Sequence, residues 1–260
     1  VPKTFRDYNR VASFFTRGCN AASPTQYGST VAIGNVVVSP SEFMPRLFAE
    51  NGRLLDSQGR ITLDTPEALR ALENYRETYS YSDRTIYDFW KNALEGFADG
   101  TAAMTVVFIN YASHILNSQM SRIAGKLGFA PVPGGKPLLG GGVIGIAQSC
   151  TCPAAACKFL EWLYADLVAP VFTMLGGLSP CRSAYSNRDI SEQYPWLSTA
   201  RKSFPTAQRR SNSTYYQNFS ELQLETILAA HVQQAVLGVC SPEEALKQAQ
   251  EDCNRYFQPW

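Results

Sequence analysis

Apolar positions recur every three or four residues over several stretches of the chain, which is the spacing of an amphipathic helix. Near the N-terminus, Phe5, Tyr8 and Val11 have this spacing directly after Thr4, whose hydroxyl favours a helix N-cap. The pattern therefore predicts a first helix that begins at Thr4. The same spacing predicts further helices at Pro40–Glu50, Tyr87–Phe97, Ala112–Gln119, Ala154–Leu167 and Ser220–Leu237.

Two other helices carry explicit start signals. Asp64 or Thr65 would cap a helix that has Pro66 in its first turn. Ser241 would cap a C-terminal helix that has Pro242 at its first position. Proline has no backbone N–H, and the N–H groups of a helix's first turn have no carbonyl partner within the helix. Proline therefore loses no hydrogen bond at this position, and both patterns predict well-defined helix starts.

Runs of β-branched residues between these helices predict strands. Val31–Val38 predicts a buried strand or extended run, and Met104–Phe108 predicts a second strand. Lys126–Pro137 predicts a strand with a Pro/Gly turn, and "GGGVIGIAQS" (Gly140–Ser149) a glycine-rich entry to a buried strand. Two glycine turns in 51–63 predict a hairpin-like element. The alternation of strands and helices indicates an α/β protein.

Composition and charge narrow the possible functions. The chain has 260 residues, of which 45% are hydrophobic and 17% charged, as in a globular protein. Its 23 basic and 22 acidic residues give a net charge of +1, so we expect no nucleic-acid partner. No apolar run approaches the ~20 residues of a membrane span. The N-terminus lacks a signal-peptide pattern, so a leader has been removed or the chain is a piece of a longer one.

The chain shows no recognisable catalytic or cofactor motif. Its two histidines, His114 and His231, are typical of ordinary surface or packed residues. "GGGVIG" precedes a predicted strand and does not join a strand to a helix, which argues against a phosphate site. We therefore expect no catalytic residue and no cofactor.

Seven cysteines are a high count. Cys150, Cys152 and Cys157 do not have the paired spacing of a zinc site, so we expect no bound metal. Cys157 falls on the apolar face of its predicted helix and is expected to be buried. Seven thiols fit a reducing compartment unless some of them pair.

Several loops place polar, small or aromatic residues at the ends of predicted elements. Sugars are held by aromatic faces together with planar polar side chains, and glycines let the backbone approach a ligand. These loops predict a small-molecule site, and its candidate residues are Ser39, Ser41, Glu42, Phe43, Phe108, Asn110, Tyr111, Gly140, Gly141, Gly142, Gly177, Arg182, Tyr215 and Tyr216.

Six segments, in the same order along the chain, resemble one family: the bacterial extracellular solute-binding proteins of ABC transporters, family 1, of the maltose-binding type. Phe5 stands for the family's usual Trp, and Asn51-Gly52 for its Gly-Gly. The segments are "VPKTFRDYNRVASFF", "LFAENGRLLDSQGRITLDTPEALRALENYRE", "FADGTAAM", "LGFAPVPGG" with "GGGVIGIAQSC" and "AACKFLEWLYA", "GGLSPCRSAY" and "VLGVCSPEEALKQAQEDCNRYF".

The resemblance implies a type II periplasmic-binding-protein fold, in which two lobes close around a carbohydrate without catalysis. It implies an extracellular or periplasmic, membrane-tethered lipoprotein whose partner is a membrane permease. The chain would hold mostly the second lobe: its first part in 1–100, a part of the first lobe that crosses the hinge in 101–150, and the remainder with the C-terminal helices in 151–260. The candidate residues would line the cleft.

The chain departs from the family in two ways. The family's N-terminal third, with the first strands of the first lobe, has no counterpart here, so a missing segment or a partner chain would complete the fold. The seven cysteines are unusual for an exported protein. They keep open a cytoplasmic ligand sensor fused to a signalling or transcriptional regulator. A carbohydrate-active hydrolase is a third alternative, disfavoured by the scarcity of histidine and catalytic motifs.

Overall fold

A computed structural model describes residues 1–34, 36–85, 90–186, 190, 194–209 and 211–260. It contains two short strands, β1 (Tyr27–Thr30) and β2 (Ala102–Thr105), and 3-10 turns at Ile109–Tyr111 and Phe204–Thr206. The helices, in chain order, are α1 (Phe5–Phe14), α2 (Val38–Ala49), α3 (Pro66–Ser80), α4 (Trp90–Ala98), α5 (Ala112–Leu116), α6 (Pro153–Leu163), α7 (Val168–Met174), α8 (Ser183–Ser186), α9 (Pro195–Ser203), α10 (Glu221–Leu237) and α11 (Pro242–Tyr256).

The chain forms two compact units. Unit 1 consists of 1–107, 132–139 and 206–260, and unit 2 of 108–131 and 140–205. Both units draw on separate stretches of chain, so they run across the predicted boundaries near residues 100 and 150. The assignment of segments to lobes stays a prediction.

The helix starts predicted from capping residues are confirmed, whereas the helix predicted from Pro40 begins at Val38 and the start predicted at Tyr87 lies outside the described residues. Thr4, Thr65 and Ser241 each accept a hydrogen bond through the side chain from the backbone N–H three residues ahead. The geometry selects Thr65, and not Asp64, as the cap of α3. A cap of this kind stabilises a helix by about 1 kcal/mol, because it satisfies a donor that the helix leaves free.

The strand predictions need correction. β1 and β2 pair in parallel, with Tyr27 opposite Ala102 and Thr30 opposite Thr105. β1 therefore ends just before the β-branched run at 31–38, and β2 begins two residues before the predicted strand. Residues 31–34 are buried but irregular, and Val38 already belongs to α2.

The reason lies in the backbone carbonyls of that run. The Tyr75 hydroxyl donates to the carbonyl of Ala32 at 2.6 Å, and the Gln233 amide donates to the carbonyl of Ile33 at 2.8 Å. Side chains thus donate the hydrogen bonds that these backbone carbonyls would otherwise accept from a neighbouring strand. The apolar run can therefore be buried without forming a strand.

Unit 1 has a core of packed helices. α2 is buried over almost its whole length, from Val38 to Phe48. Leucines from three other helices complete this core, including Leu72, Leu228 and Leu246, each at most 1% exposed. Each fully buried leucine stabilises the fold by roughly 1.5–3 kcal/mol relative to an exposed one. The predicted hairpin element is confirmed as one antiparallel bridge between Leu55 and Ile61.

Unit 2 has a smaller core, built around Trp196, Leu197 and Tyr185 with several alanines. Two sequence predictions in this unit are wrong. The segment 140–149 is irregular rather than a buried strand, and its residues are exposed. Helix α6 has no buried residue, and its Cys157 is exposed although the apolar pattern predicted burial. Among the described residues, no strand lies beside 140–149 to pair with it.

The segment 126–137 also lacks the predicted strand and consists of turns and irregular backbone. Gly134 lies at φ +81° and packs against Ala49, while its N–H donates to the carbonyl of Lys3 at 2.7 Å. The turn predicted there is present, because glycine alone adopts this conformation without strain.

Candidate functional site

The candidate residues at the start of α2 are all buried in unit 1. Ser39 and Phe43 have no exposed surface, and Ser41 and Glu42 are only 6% and 5% exposed. The Ser39 hydroxyl donates to the carbonyl of Gly34, which ties the start of the helix to the preceding loop. Their side chains are engaged in internal contacts, so a role in ligand binding stays a prediction for these positions.

Glu42 and Arg46 form a buried ion pair one helical turn apart, with Arg46 Nη1 3.1 Å from Glu42 Oε2. The Arg46 guanidinium also lies 4.8 Å from the ring centroids of both Phe5 and Tyr75. Burial raises the pKa of the Glu42 carboxyl, and the Arg46 charge opposes that rise. The pair is held by cation–π contacts as well as by charge.

This polar cluster is almost completely satisfied from within. Burial raises the pKa of Tyr75 well above its ordinary value, so its hydroxyl stays protonated and donates to the carbonyl of Ala32. Among the described residues, the buried Nε of Arg46 has no hydrogen-bond partner. The cluster is therefore suited to holding α2 in position, and the Arg46 Nε–H is its one donor without an acceptor among the described residues.

In unit 2, the structure brings two candidate positions together. A Cβ atom added to Gly140 would lie 2.9 Å from Cε1 of Phe108, so this ring packs directly on the glycine backbone. Asn110 is exposed, and Tyr111 is half-buried, with its pKa raised by that burial. An aromatic ring, an amide and a phenol thus lie within the six residues that follow β2, and amide and phenol groups can bind hydroxyl-rich solutes.

Gly141 and Gly142 are exposed, with open space where a side chain would stand. Gly177 is different, because a Cβ there would lie 2.3 Å from the Phe172 ring. Arg182 is exposed, and its backbone carbonyl accepts hydrogen bonds from Tyr185 and Ser186. The glycine at 177 is thus required by packing, whereas those at 141 and 142 leave the backbone accessible.

Tyr215 and Tyr216 lie in an aromatic cluster of unit 1. Tyr216 is 9% exposed, its hydroxyl accepts a hydrogen bond from the N–H of Ile61 at 2.9 Å, and its ring is 5.6 Å from that of Phe257. The Tyr215 ring stands edge-on to Tyr216 at 5.0 Å and is 37% exposed. Tyr216 therefore joins the hairpin to the C-terminal segment, and Tyr215 alone of the two offers a substantial surface.

Sequence reasoning missed Arg46, Tyr75 and Gln233, which organise the buried polar cluster. A signal for the first was present, since Arg46 follows Glu42 by four residues in an otherwise apolar helix. The partners Tyr75 and Gln233 lie far away in sequence, so no local pattern marks them.

The described residues contain no group of three or more His, Cys, Asp or Glu placed to hold a metal ion. All seven cysteines are free thiols. Burial raises the pKa of Cys253 to about 12, with a smaller contribution from Asp252. No helix in the described parts of the chain has both the length and the apolar character that a membrane span needs.

Comparison with known proteins places these features in a family. Residues 1–199 match the family model described as bacterial extracellular solute-binding protein. A curated relative, a probable amino-acid ABC transporter periplasmic-binding protein of Sinorhizobium fredii, is 20% identical over 182 residues, which are 69% of this chain and 42% of the relative.

Solved structures show the same fold. A solute-binding protein of Agrobacterium radiobacter in complex with ribitol superposes with a TM-score of 0.78 at 21% identity, over 99% of this chain and 65% of its own. Maltose-bound T. maritima MalE3 gives a TM-score of 0.80 at 20% identity, over 98% of this chain and 66% of its own. Mycobacterium tuberculosis UgpB in complex with glycerophosphocholine gives a TM-score of 0.75 at 18% identity, over 98% of this chain and 63% of its own.

The chain thus spans less than half the length of the curated relative and about two thirds of the solved ones. Its fold is that of the type II periplasmic binding proteins. On the match over residues 1–199, the chain belongs to the bacterial extracellular solute-binding protein family.

Proposed function

We propose that this chain is part of the receptor of an ABC importer, which binds a carbohydrate or polyol without transforming it. The family match over residues 1–199 carries this proposal. The ligand class is supported by structural relatives whose bound ligands are ribitol, maltose and D-mannitol. In the complete protein, closure of the two lobes would favour the bound state.

The ligand contacts we propose come from the accessible candidate residues. In unit 2, Tyr111 would stack on the C–H face of the solute, and the Asn110 amide would bind hydroxyl groups. The backbone at Gly141 and Gly142 is open to close approach. We keep the remaining candidates, including Tyr215 and the buried residues of α2, as proposed contributors to ligand binding.

The proposed partners and location follow from the same family. The receptor would deliver its solute to a membrane permease, outside the cell or in the periplasm, where a lipid tether would hold it. We also propose that the segments 1–100 and 151–260 belong mainly to the second lobe and 101–150 to the first. A further segment would complete the first lobe.

A thermal-shift titration tests this function. Ribitol and maltose at about a hundredfold excess over their dissociation constants should raise the free energy of unfolding by about 2.7 kcal/mol. Tyr111→Ala should abolish the shift, whereas Tyr164→Ala, a change at a 37% exposed tyrosine of the same unit outside the candidate set, should preserve it. Absence of any shift, in this chain and in an N-terminally extended one, would contradict the proposal.

The free thiols favour one second candidate, a cytoplasmic ligand sensor, because seven unpaired cysteines suit a reducing compartment. The sequence encoded upstream of Val1 decides between the two. A lipoprotein leader would support the importer receptor, and a helix-turn-helix module would support the sensor.

A further inference from the structure

Three of the seven thiols lie close together in sequence, around the start of α6. Cys150 and Cys152 are separated only by Thr151, and Cys157 lies in the helix itself. Cys152 and Cys157 are exposed, and Cys150 is half-buried. Molecules in solution can therefore reach this group, and a cysteine reacts only where a reagent can approach its sulfur.

The spacing of Cys150 and Cys152 permits a disulfide between them. A disulfide needs two Cα atoms that are about 4.4–6.8 Å apart. Two residues of fully extended chain span at most about 7 Å, and the backbone here bends at Thr151. Cys152 is the N-cap of α6, and its side chain makes no capping hydrogen bond, so its sulfur is available. Local chain geometry thus brings the two thiols within bonding range.

Cys157 is too far along the helix to compete for Cys152. Each residue of an α-helix advances the chain by about 1.5 Å, so five residues of α6 separate the two by roughly 7.5 Å along the axis. That distance exceeds the usual Cα separation across a disulfide. Cys157 is therefore a built-in control: an equally exposed thiol on the same helix without a partner in reach.

The remaining cysteines offer no comparable pair. Cys253 is only 1% exposed, and the Cys181 thiol donates to the carbonyl of Tyr164 at 3.4 Å. Cys19 and Cys240 belong to unit 1, whereas the thiols around the start of α6 belong to unit 2. Cys150 and Cys152 are thus the two accessible thiols that the chain itself holds together.

We propose that Cys150 and Cys152 form a redox-active dithiol, which a low-molecular-weight disulfide converts to an intramolecular disulfide. The bond closes a very short loop, so it removes little entropy from the unfolded chain and contributes little to stability. Exposed disulfides are also the readily reduced ones, which suits a reversible modification better than a structural cross-link. This property lies beyond solute binding and does not depend on it.

Oxidation proceeds through two thiol–disulfide exchanges, with oxidised glutathione as the probe. Cys152, the more exposed thiol, loses its proton, and its sulfur attacks one sulfur of the glutathione disulfide. The bond between the two glutathione sulfurs breaks, and one glutathione leaves and takes up a proton. Cys150 then loses its proton and attacks Cys152 Sγ, which releases the second glutathione as a thiol. Two protein thiols are oxidised, and one glutathione disulfide is reduced to two thiols.

Peptide mass spectrometry after alkylation with iodoacetamide tests the pair. The Cys157→Ser protein is the reference, because its tryptic peptide ending at Lys158 contains only the two thiols in question. Oxidised glutathione should make this peptide lighter by two hydrogen atoms and unreactive toward iodoacetamide, and dithiothreitol should restore both thiols. Adding Cys150→Ser removes the second exchange, so glutathione retained on Cys152 should rise about tenfold.

Three results would overturn the inference. The reference peptide could keep glutathione without losing two hydrogen atoms, or Cys150→Ser could retain no more glutathione than the reference. In the unsubstituted protein, the oxidised thiols could be found joined to Cys157 or to a second chain instead of to each other. The assay contains no sugar, so its outcome is independent of whether the thermal-shift titration detects a ligand.

Discussion

Helices α2 and α6 are of similar length but have opposite environments. α2 contains a glutamate, an arginine and two prolines, yet nearly all of it is buried. α6 is richer in apolar residues, yet none of them is buried. The difference shows that the elements packed around a helix decide whether it is buried. The composition of the helix determines only how much free energy that burial costs or gains. Unit 1 surrounds α2 with α3, α10 and aromatic rings, whereas the described residues of unit 2 leave α6 open.

The largest expected effect comes from breaking the buried ion pair of α2. Arg46→Met leaves the Glu42 carboxylate buried without a partner, which should lower the free energy of unfolding by about 3–5 kcal/mol. The double variant with Glu42→Gln should recover much of that loss, because no charge remains buried. Urea denaturation followed by circular dichroism measures both. A loss below about 1 kcal/mol for the single change would show that the pair is already solvated.

Paired truncations compare the two helices directly. Leu47→Ala removes a fully buried side chain of α2 and should cost about 2–5 kcal/mol. Trp162→Ala in α6 removes a larger but 56% exposed side chain and should change stability by no more than about 0.5 kcal/mol. The same denaturation assay measures both. Equal losses of stability would mean that other residues pack over α6 in solution. A larger effect of Trp162→Ala in an N-terminally extended protein would show that the added segment packs on α6.

A smaller effect is expected at the helix caps that sequence analysis found. Ser241→Ala removes the side-chain acceptor for the N–H of Glu244 and should cost about 1 kcal/mol. Ser57→Ala, at an exposed turn position, is the matched control and should be nearly neutral. If the two serines proved equivalent in chemical denaturation, the cap would contribute nothing to α11.

The smallest effect near neutral pH is expected at the buried thiol of Cys253 in α11. Burial raises the pKa of Cys253 from 9.0 in the unfolded chain to about 12 in the folded protein. The protonated thiol is therefore favoured by folding, and its contribution is complete below pH 9.0 and declines as the pH rises toward 12. Cys253→Ala should reduce the alkaline fall in stability between those values, measured by urea denaturation at a series of pH values. A pH profile that Cys253→Ala leaves unchanged would exclude this linkage.

Local signals predicted the parts of the fold that depend on neighbouring residues. Thr4, Thr65 and Ser241 cap helices as their sequence context indicates, and the turn pattern around Leu55 and Ile61 forms a hairpin bridge. Each of these features is decided within a few residues, so the sequence around it carries the information.

Features that depend on distant partners were not predictable. The β-branched run after Thr30 has the pattern of a strand, but the side chains of Tyr75 and Gln233 donate hydrogen bonds to its backbone carbonyls. Cys157 looks buried by periodicity, but no residue of α6 is buried, and Cys157 is exposed. In the candidate site, the four-residue spacing of Glu42 and Arg46 is a local signal for their ion pair, whereas the contacts of Arg46 with the rings of Phe5 and Tyr75 required the three-dimensional structure.

The discontinuity of unit 1 has a consequence for biosynthesis. The hydrogen bond from Gln233 to Ile33 spans 200 residues, and α10 and α11 pack against the earlier helices of the unit. At about 5–20 residues per second, roughly 10–40 s pass between translation of the two partners. The apolar surface of α2 then has no α10 to cover it, so the nascent chain is a natural client for chaperones that shield hydrophobic segments until translation ends.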